Sequence, residues 1–104
     1  MEQNLVEFLT KTLDDLKAQD ILAIDVRGKS SITDAMIIAT GTSVRHVAST
    51  AERLATEAKQ AGFEVFGDEG KAVADWIVVD CGQAIVHILQ ADARQMYQLE
   101  KLWA

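Results

Sequence analysis

Proline is absent from all 104 residues, and cysteine occurs once, at Cys81. A single thiol can close no internal disulfide and cannot build a multi-cysteine zinc site. A reduced cytosol is therefore the simplest compartment. No apolar run reaches the ~18 residues a membrane helix needs. The start, Met1-Glu2-Gln3-Asn4, lacks the basic stretch and apolar segment of a signal peptide, so neither insertion nor export is expected. Basic residues are also few: Lys and Arg total 10 against 16 Asp and Glu, a net charge of −6. Nucleic-acid binders displace counterions with a dense basic face. None is present, so direct sequence-specific binding to nucleic acid is not expected.

What remains is ordinary globular material. Hydrophobic residues make up 49% and charged residues 25%, which suits one ordered domain over 1–104 with a single core. No linker, low-complexity tract or internal repeat divides it. The charge is uneven. From Glu64 to Asp92 the acids are Glu64, Asp68, Glu69, Asp75, Asp80 and Asp92, opposed by Lys71 alone. A solvated acidic surface is the plain reading. A docking surface for a basic protein is the sharper one, because complementary potentials steer encounter.

Residues 3–18 space Leu5, Phe8, Leu9, Leu13 and Leu16 by threes and fours, which predicts an amphipathic helix. Leu22, Ile24 and Val26 alternate with Ala23 and Asp25, predicting a strand over 20–27 before the turn Gly28-Lys29-Ser30-Ser31. The unbroken run Ala35–Thr40 suits a central strand covered on both faces. A long helix follows to about Ala61, capped by Thr42 or Ser43, with a small-residue stripe and Gly62 as its stop. Phe63–Phe66 reads as a short strand and Gly67–Gly70 as a loop. Asp75–Asp80 and Ala84–Leu89 form a hairpin around Cys81-Gly82-Gln83, with Trp76 and Val78 on one face. Asp92 is expected to cap a last helix carrying Met96, Leu99, Leu102 and Trp103 on its apolar side. The predicted class is α/β, order αββαβββα, with helices on a mixed five-stranded sheet.

Few residues invite chemistry. Gly41-Thr42-Ser43 at a strand-to-helix junction could hold phosphate at a helix N-terminus, but no Walker lysine follows. A nucleotidyltransferase using such a turn also needs an Asp-x-Asp or Asp-x-Glu pair for magnesium, and the chain has neither. The plain reading is a helix cap. His46 and His87 lie far apart, and with Cys81 they make no recognisable metal set. His87 reads as a half-buried strand histidine. Asp14, Asp15, Asp20, Asp25 and Asp34 match no calcium loop. No catalytic, metal or cofactor-binding residue is therefore expected. Trp76 and Tyr97 read as core by default, or as anchors of an exposed patch with an acidic rim. Such a patch would also serve a homodimer.

Five segments together carry a resemblance: Asp20–Val26 (DILAIDV), Gly28–Asp34 (GKSSITD), Gly41–Val47 (GTSVRHV), Ala74–Asp80 (ADWIVVD) and Tyr97–Trp103 (YQLEKLW). In this order they resemble the ribosomal silencing factor family, also called Iojap, over nearly the whole chain. The turn after Cys81-Gly82 departs from the family's commoner Gly-Asp. The resemblance implies a nucleotidyltransferase-like fold without catalytic carboxylates. It also implies a cytoplasmic, non-enzymatic repressor of translation that acts when nutrients fall. Its partner would be ribosomal protein L-fourteen on the large subunit, occupied so that the small subunit cannot join. The family motifs and the clustering of features place the contact at Glu69, Lys71, Asp75, Trp76, Tyr97 and Glu100. In that scheme Trp76 and Tyr97 are anchors, Glu69, Asp75 and Glu100 pair with basic groups, and Lys71 with an acid.

Overall fold

The structure is a computed structural model and describes residues 2–70 and 75–103. Lys71 and the side chain of Trp103 lie outside the described residues. Helix α1 (Glu2–Asp15) buries Leu5, Leu9 and Leu13, spaced by four, against the sheet. It ends earlier than its apolar spacing predicts. Lys17 takes a left-handed conformation, φ 70°. Its N–H donates to the Asp14 carbonyl at 3.0 Å, and the Ala18 N–H donates to the Leu13 carbonyl at 3.0 Å. These two bonds satisfy the free carbonyls of the last turn in a Schellman arrangement.

Strand β1 (Gln19–Asp25) runs antiparallel to β2 (Ala35–Gly41) with a bulge between Gln19 and Leu22. Every residue of β2 is buried, as its unbroken apolar run predicts. Helix α2 (Val44–Gln60) crosses over the sheet on Val47, Ala51, Leu54 and Ala58. It closes at Gly62, φ 95°, by the same pair of bonds: Gly62 N–H to Lys59 O and Phe63 N–H to Ala58 O. Strand β3 (Gly67–Glu69) lies at the far edge, antiparallel to β4 (Trp76–Asp80). β4 pairs antiparallel with β5 (Ala84–Gln90), and β5 runs parallel to β2. The sheet order is β1-β2-β5-β4-β3, so the chain is α/β with a mixed five-stranded sheet.

Two expectations shift. Phe63–Phe66 does not pair as a strand; the polar Gly67–Glu69 does. Phe63 instead meets Phe8 of α1, ring centroids 5.3 Å apart, and seals the core edge where the chain descends from α2. The last helix is broken. α3 (Ala91–Tyr97) stops at left-handed Gln98, φ 50°, and α4 (Leu99–Trp103) starts anew. The N-cap of α3 is Gln90, without a side-chain bond, so Asp92 lies in the first turn and caps nothing. The break also ruins the continuous apolar stripe: Leu99 packs inward, while Met96 and Leu102 are 75% and 71% exposed.

The two faces of the sheet are unequal. One carries Ile37, Ala39, Ile77, Val79, Val86 and Ile88 beneath α1 and α2. The other has the smaller cluster Val26, Met36, Ile38, Leu89 and Ala93, with Trp76, Ile85 and Leu99 only partly buried. A lysine held left-handed is disfavoured by about 1 kcal/mol relative to glycine. Lys17→Gly is therefore expected to raise unfolding stability by about that amount, read from the urea midpoint; a lower midpoint would contradict the helix-closing geometry.

Candidate functional site: the open face of the sheet

Residues paired across strands share a face. One row on the side away from α1 and α2 reads Glu69, Val78, His87, Ile38, Leu22, and the next reads Trp76, Leu89, Thr40, Gln19; α3 and α4 cover its Ile38 and Leu89 and leave Val78 and His87 half-buried. Trp76 and His87 are thus diagonal neighbours on adjacent strands. The Trp76 indole Nε1–H donates to His87 Nδ1 at 3.0 Å. Indole nitrogen can only donate, so Nδ1 is the acceptor and the ring proton sits on Nε2. Tyr97, the last residue of α3, packs against the indole with centroids 4.6 Å apart and planes inclined at 46°. Tyr97 is itself 49% exposed. The aromatic pair is therefore held by the fold yet partly open to solvent.

The other candidates divide. Glu69 is exposed on β3, in the row of Val78 and His87. Asp75 is half-buried, and its carbonyl accepts the Gln90 N–H at 2.9 Å, tying the start of β4 to the end of β5. Lys71 falls outside the described residues. Glu100 faces Arg94: Arg94 Nε donates to its Oε2 at 3.3 Å, and its Oε1 is buried without a hydrogen-bond partner. Arg94 is the residue that sequence reasoning missed. Its guanidinium also donates from Nη1 to the Asp20 carbonyl and to Thr40 Oγ1 at 2.9 Å. It fastens the kink that presents Tyr97 to the β1–β2 pair. No spacing rule marks a contact between Asp20 and Arg94, 74 residues apart.

The features that invite chemistry are otherwise occupied. Ser43 caps α2 by accepting the His46 N–H at 3.0 Å, and the Ser43 carbonyl accepts the Val47 N–H. The Thr42 N–H donates to His46 Nδ1 at 2.9 Å, and His46 Nε2 reaches the Leu16 carbonyl at 2.8 Å. The amides that would cradle a phosphate thus serve the cap and join α2 to the end of α1. Gly41 is glycine because a Cβ there would meet Val47 Cγ2 at 2.5 Å. Cys81 packs in the core on the helix side, whereas His87 faces the other way. Burial, and the nearby Asp80 carboxylate, push the Cys81 thiol up to about 11, which leaves little thiolate for nucleophilic work. Among the described residues no group of three His, Cys, Asp or Glu could hold a metal ion, and no helix is long and apolar enough to cross a membrane.

Burial also lowers the His87 imidazole to about 4. The unfolded chain, with histidine near its ordinary value of about 6.5, then binds the proton first. The bonus from a neutral His87 is complete above about pH 6.5 and is lost as pH falls toward about 4. Stability is expected to drop on the order of 2 kcal/mol from this source between about pH 7 and about pH 4.5. Urea midpoints of wild type and His87→Leu at both pH values measure it; equal pH slopes would contradict the buried, neutral ring.

The family model described as "Ribosomal silencing factor during starvation" matches residues 1–104. A "Ribosomal silencing factor RsfS" of Haemophilus influenzae is 72% identical over 100 residues, covering 96% of this chain and 98% of that protein. A crystal structure of a Chromobacterium violaceum protein superposes with TM-score 0.94 at 34% identity, covering 97% of this chain and 84% of that one. A mouse protein named "Mitochondrial assembly of ribosomal large subunit protein 1" is 33% identical over 103 residues, 94% of this chain and 44% of its own length. These likenesses fix the assignment: the chain belongs to the ribosomal silencing factor family.

Proposed function

We propose that this chain is a non-enzymatic repressor of translation that docks through its open sheet face onto the large ribosomal subunit, at ribosomal protein L-fourteen, and keeps the small subunit from joining. It would do so in the bacterial cytoplasm when nutrients are scarce. The observation that carries the reading is the half-exposed Tyr97 packed at a tilt against Trp76, beside the part of the sheet that α3 and α4 leave half-buried. Aromatic anchors with one rigid side and one free side are the usual hot spots of protein interfaces. The mouse relative's name, with its large-subunit assembly role, supports the choice of subunit. The net charge of −6 supports a basic partner.

The role of Glu100 changes within this reading. Held by Arg94, it positions the kink beneath Tyr97, which leaves Glu69 as the exposed acid of the rim, with Asp75 half-buried beside the anchor. The mechanism is occupancy. The body measures 32 × 31 × 22 Å. A folded object of that thickness, seated where two subunits meet, holds their surfaces beyond contact distance. A favourable docking free energy suffices, and no bond is made or broken.

Purified large subunits test this by cosedimentation, with light scattering on addition of small subunits. Wild type should sediment with large subunits and suppress joining. Trp76→Ala should weaken binding by about 2 kcal/mol, roughly 30-fold, while staying folded. Full binding by the folded variant, or joining that proceeds while the protein remains attached, would overturn the reading. A second copy of this chain covering the same face would show as a dimer that large subunits fail to dissociate. Charge steering makes a separate prediction. Association should slow as ionic strength rises from about 0.1 to about 1 M, where the screening length falls from about 10 to about 3 Å; a rate independent of salt contradicts it.

A further inference from the structure

We propose that His87 is a positioning residue of the docking face, one that fixes the Trp76 indole for its partner by accepting the Nε1–H on Nδ1. The inference rests on the docking reading above and adds a residue that neither the family motifs nor the acidic patch single out.

Two contacts hold the indole in its observed orientation. Tyr97 stands at 4.6 Å on one side, and His87 holds the nitrogen end at 3.0 Å with ring centroids 5.8 Å apart. An unpaired indole N–H in a half-buried place would cost free energy. A side chain two residues along the neighbouring strand is well placed to offer an acceptor at that height. It must be uncharged, because a protonated Nδ1 would be a second donor facing the first. Burial supplies that condition. The benefit appears on docking. An anchor already held in its bound rotamer loses less freedom when the partner arrives. His87 therefore acts through Trp76, without touching the partner.

A set of substitutions separates this role from ordinary packing. His87→Leu keeps the volume of a strand residue but removes the acceptor. It should lower the urea midpoint at neutral pH only modestly, the apolar burial of leucine offsetting part of the unpaired indole N–H, and weaken binding to purified large subunits by about 5-fold, the cost of ordering one freed side chain on docking. His87→Asn, whose Oδ1 occupies the place of Nδ1 along the side chain, should restore most of that affinity. In a Trp76→Phe background, which has no N–H to hold, His87→Leu should have no further effect on binding. The Trp76 indole proton resonance, assigned by its loss in Trp76→Phe, should move upfield and exchange faster in His87→Leu and stay near its place in His87→Asn.

Wild-type affinity of His87→Leu would overturn the proposal, as would an equal loss in the Trp76→Phe background or an Asn variant as weak as Leu. If Trp76→Ala weakens binding while His87→Leu does not, only the positioning role fails. If Trp76→Ala binds fully, the docking reading and the positioning role fall together.

Discussion

Two long helices cover one face of a five-stranded sheet, and the described residues form no third. Five strands at about 4.8 Å spacing make a sheet roughly 24 Å across, and two helices packed about 10 Å apart nearly span it. α1 and α2, with 14 and 17 residues, take the side of Ile37, Val86 and Ile88. The reverse side has only the seven residues of α3 and the five of α4. They close over Leu89, Ile38 and Val26 and stop short of Val78 and His87. The protein's distinctive surface follows from that shortage. Half-buried side chains there must be amphipathic, and the chain places a tryptophan, a histidine and a tyrosine in that position.

The polar bonds on this face then act as supports. Arg94 ties the α3–α4 kink to Asp20 and Thr40 and holds Glu100. His87 holds Trp76. Each keeps an aromatic ring presented outward at a place where apolar packing alone would leave it loose. Elsewhere the groups that could do chemistry are consumed by the fold. The amides at the start of α2 bind Ser43 and His46, the single thiol is sealed in the core, and the neutral imidazole of His87 already accepts a proton donor. An inward-looking polar inventory beside an outward-looking aromatic pair suits a molecule that works by contact.

Much of this was legible in the residues. Alternation marked β1, β4 and β5, the unbroken Ala35–Thr40 run marked the central strand, and Gly62 marked the end of α2 where a left-handed residue is needed. The misses share a cause: tertiary geometry overrode local pattern. Phe63 and Val65 alternate like a strand but are drawn into the helix layer, so the polar Gly67–Glu69 takes the edge. Lys17 and Gln98 adopt left-handed backbones that glycine would have announced. At the site, the family resemblance pointed to Trp76 and Tyr97. That His87 lies diagonal to Trp76 could have been read by counting strand register outward from the Cys81–Gln83 turn. Arg94 could not, because its partners lie 54 and 74 residues away in sequence.

The claim on which the account stands is that the uncovered sheet face, and no other surface, meets the ribosome. Hydroxyl-radical footprinting with and without purified large subunits tests it directly, because the molecule carries its own control. Met96 and Tyr97 are exposed beside the open face, while Ile32 and Phe66, also exposed, lie toward the end of the sheet where β4 turns into β5. Large subunits are expected to suppress oxidation of Met96, Tyr97 and Trp76 and to leave Phe66 and Ile32 as reactive as in the free protein. Protection of Phe66 and Ile32 with Met96 and Tyr97 unchanged would contradict it.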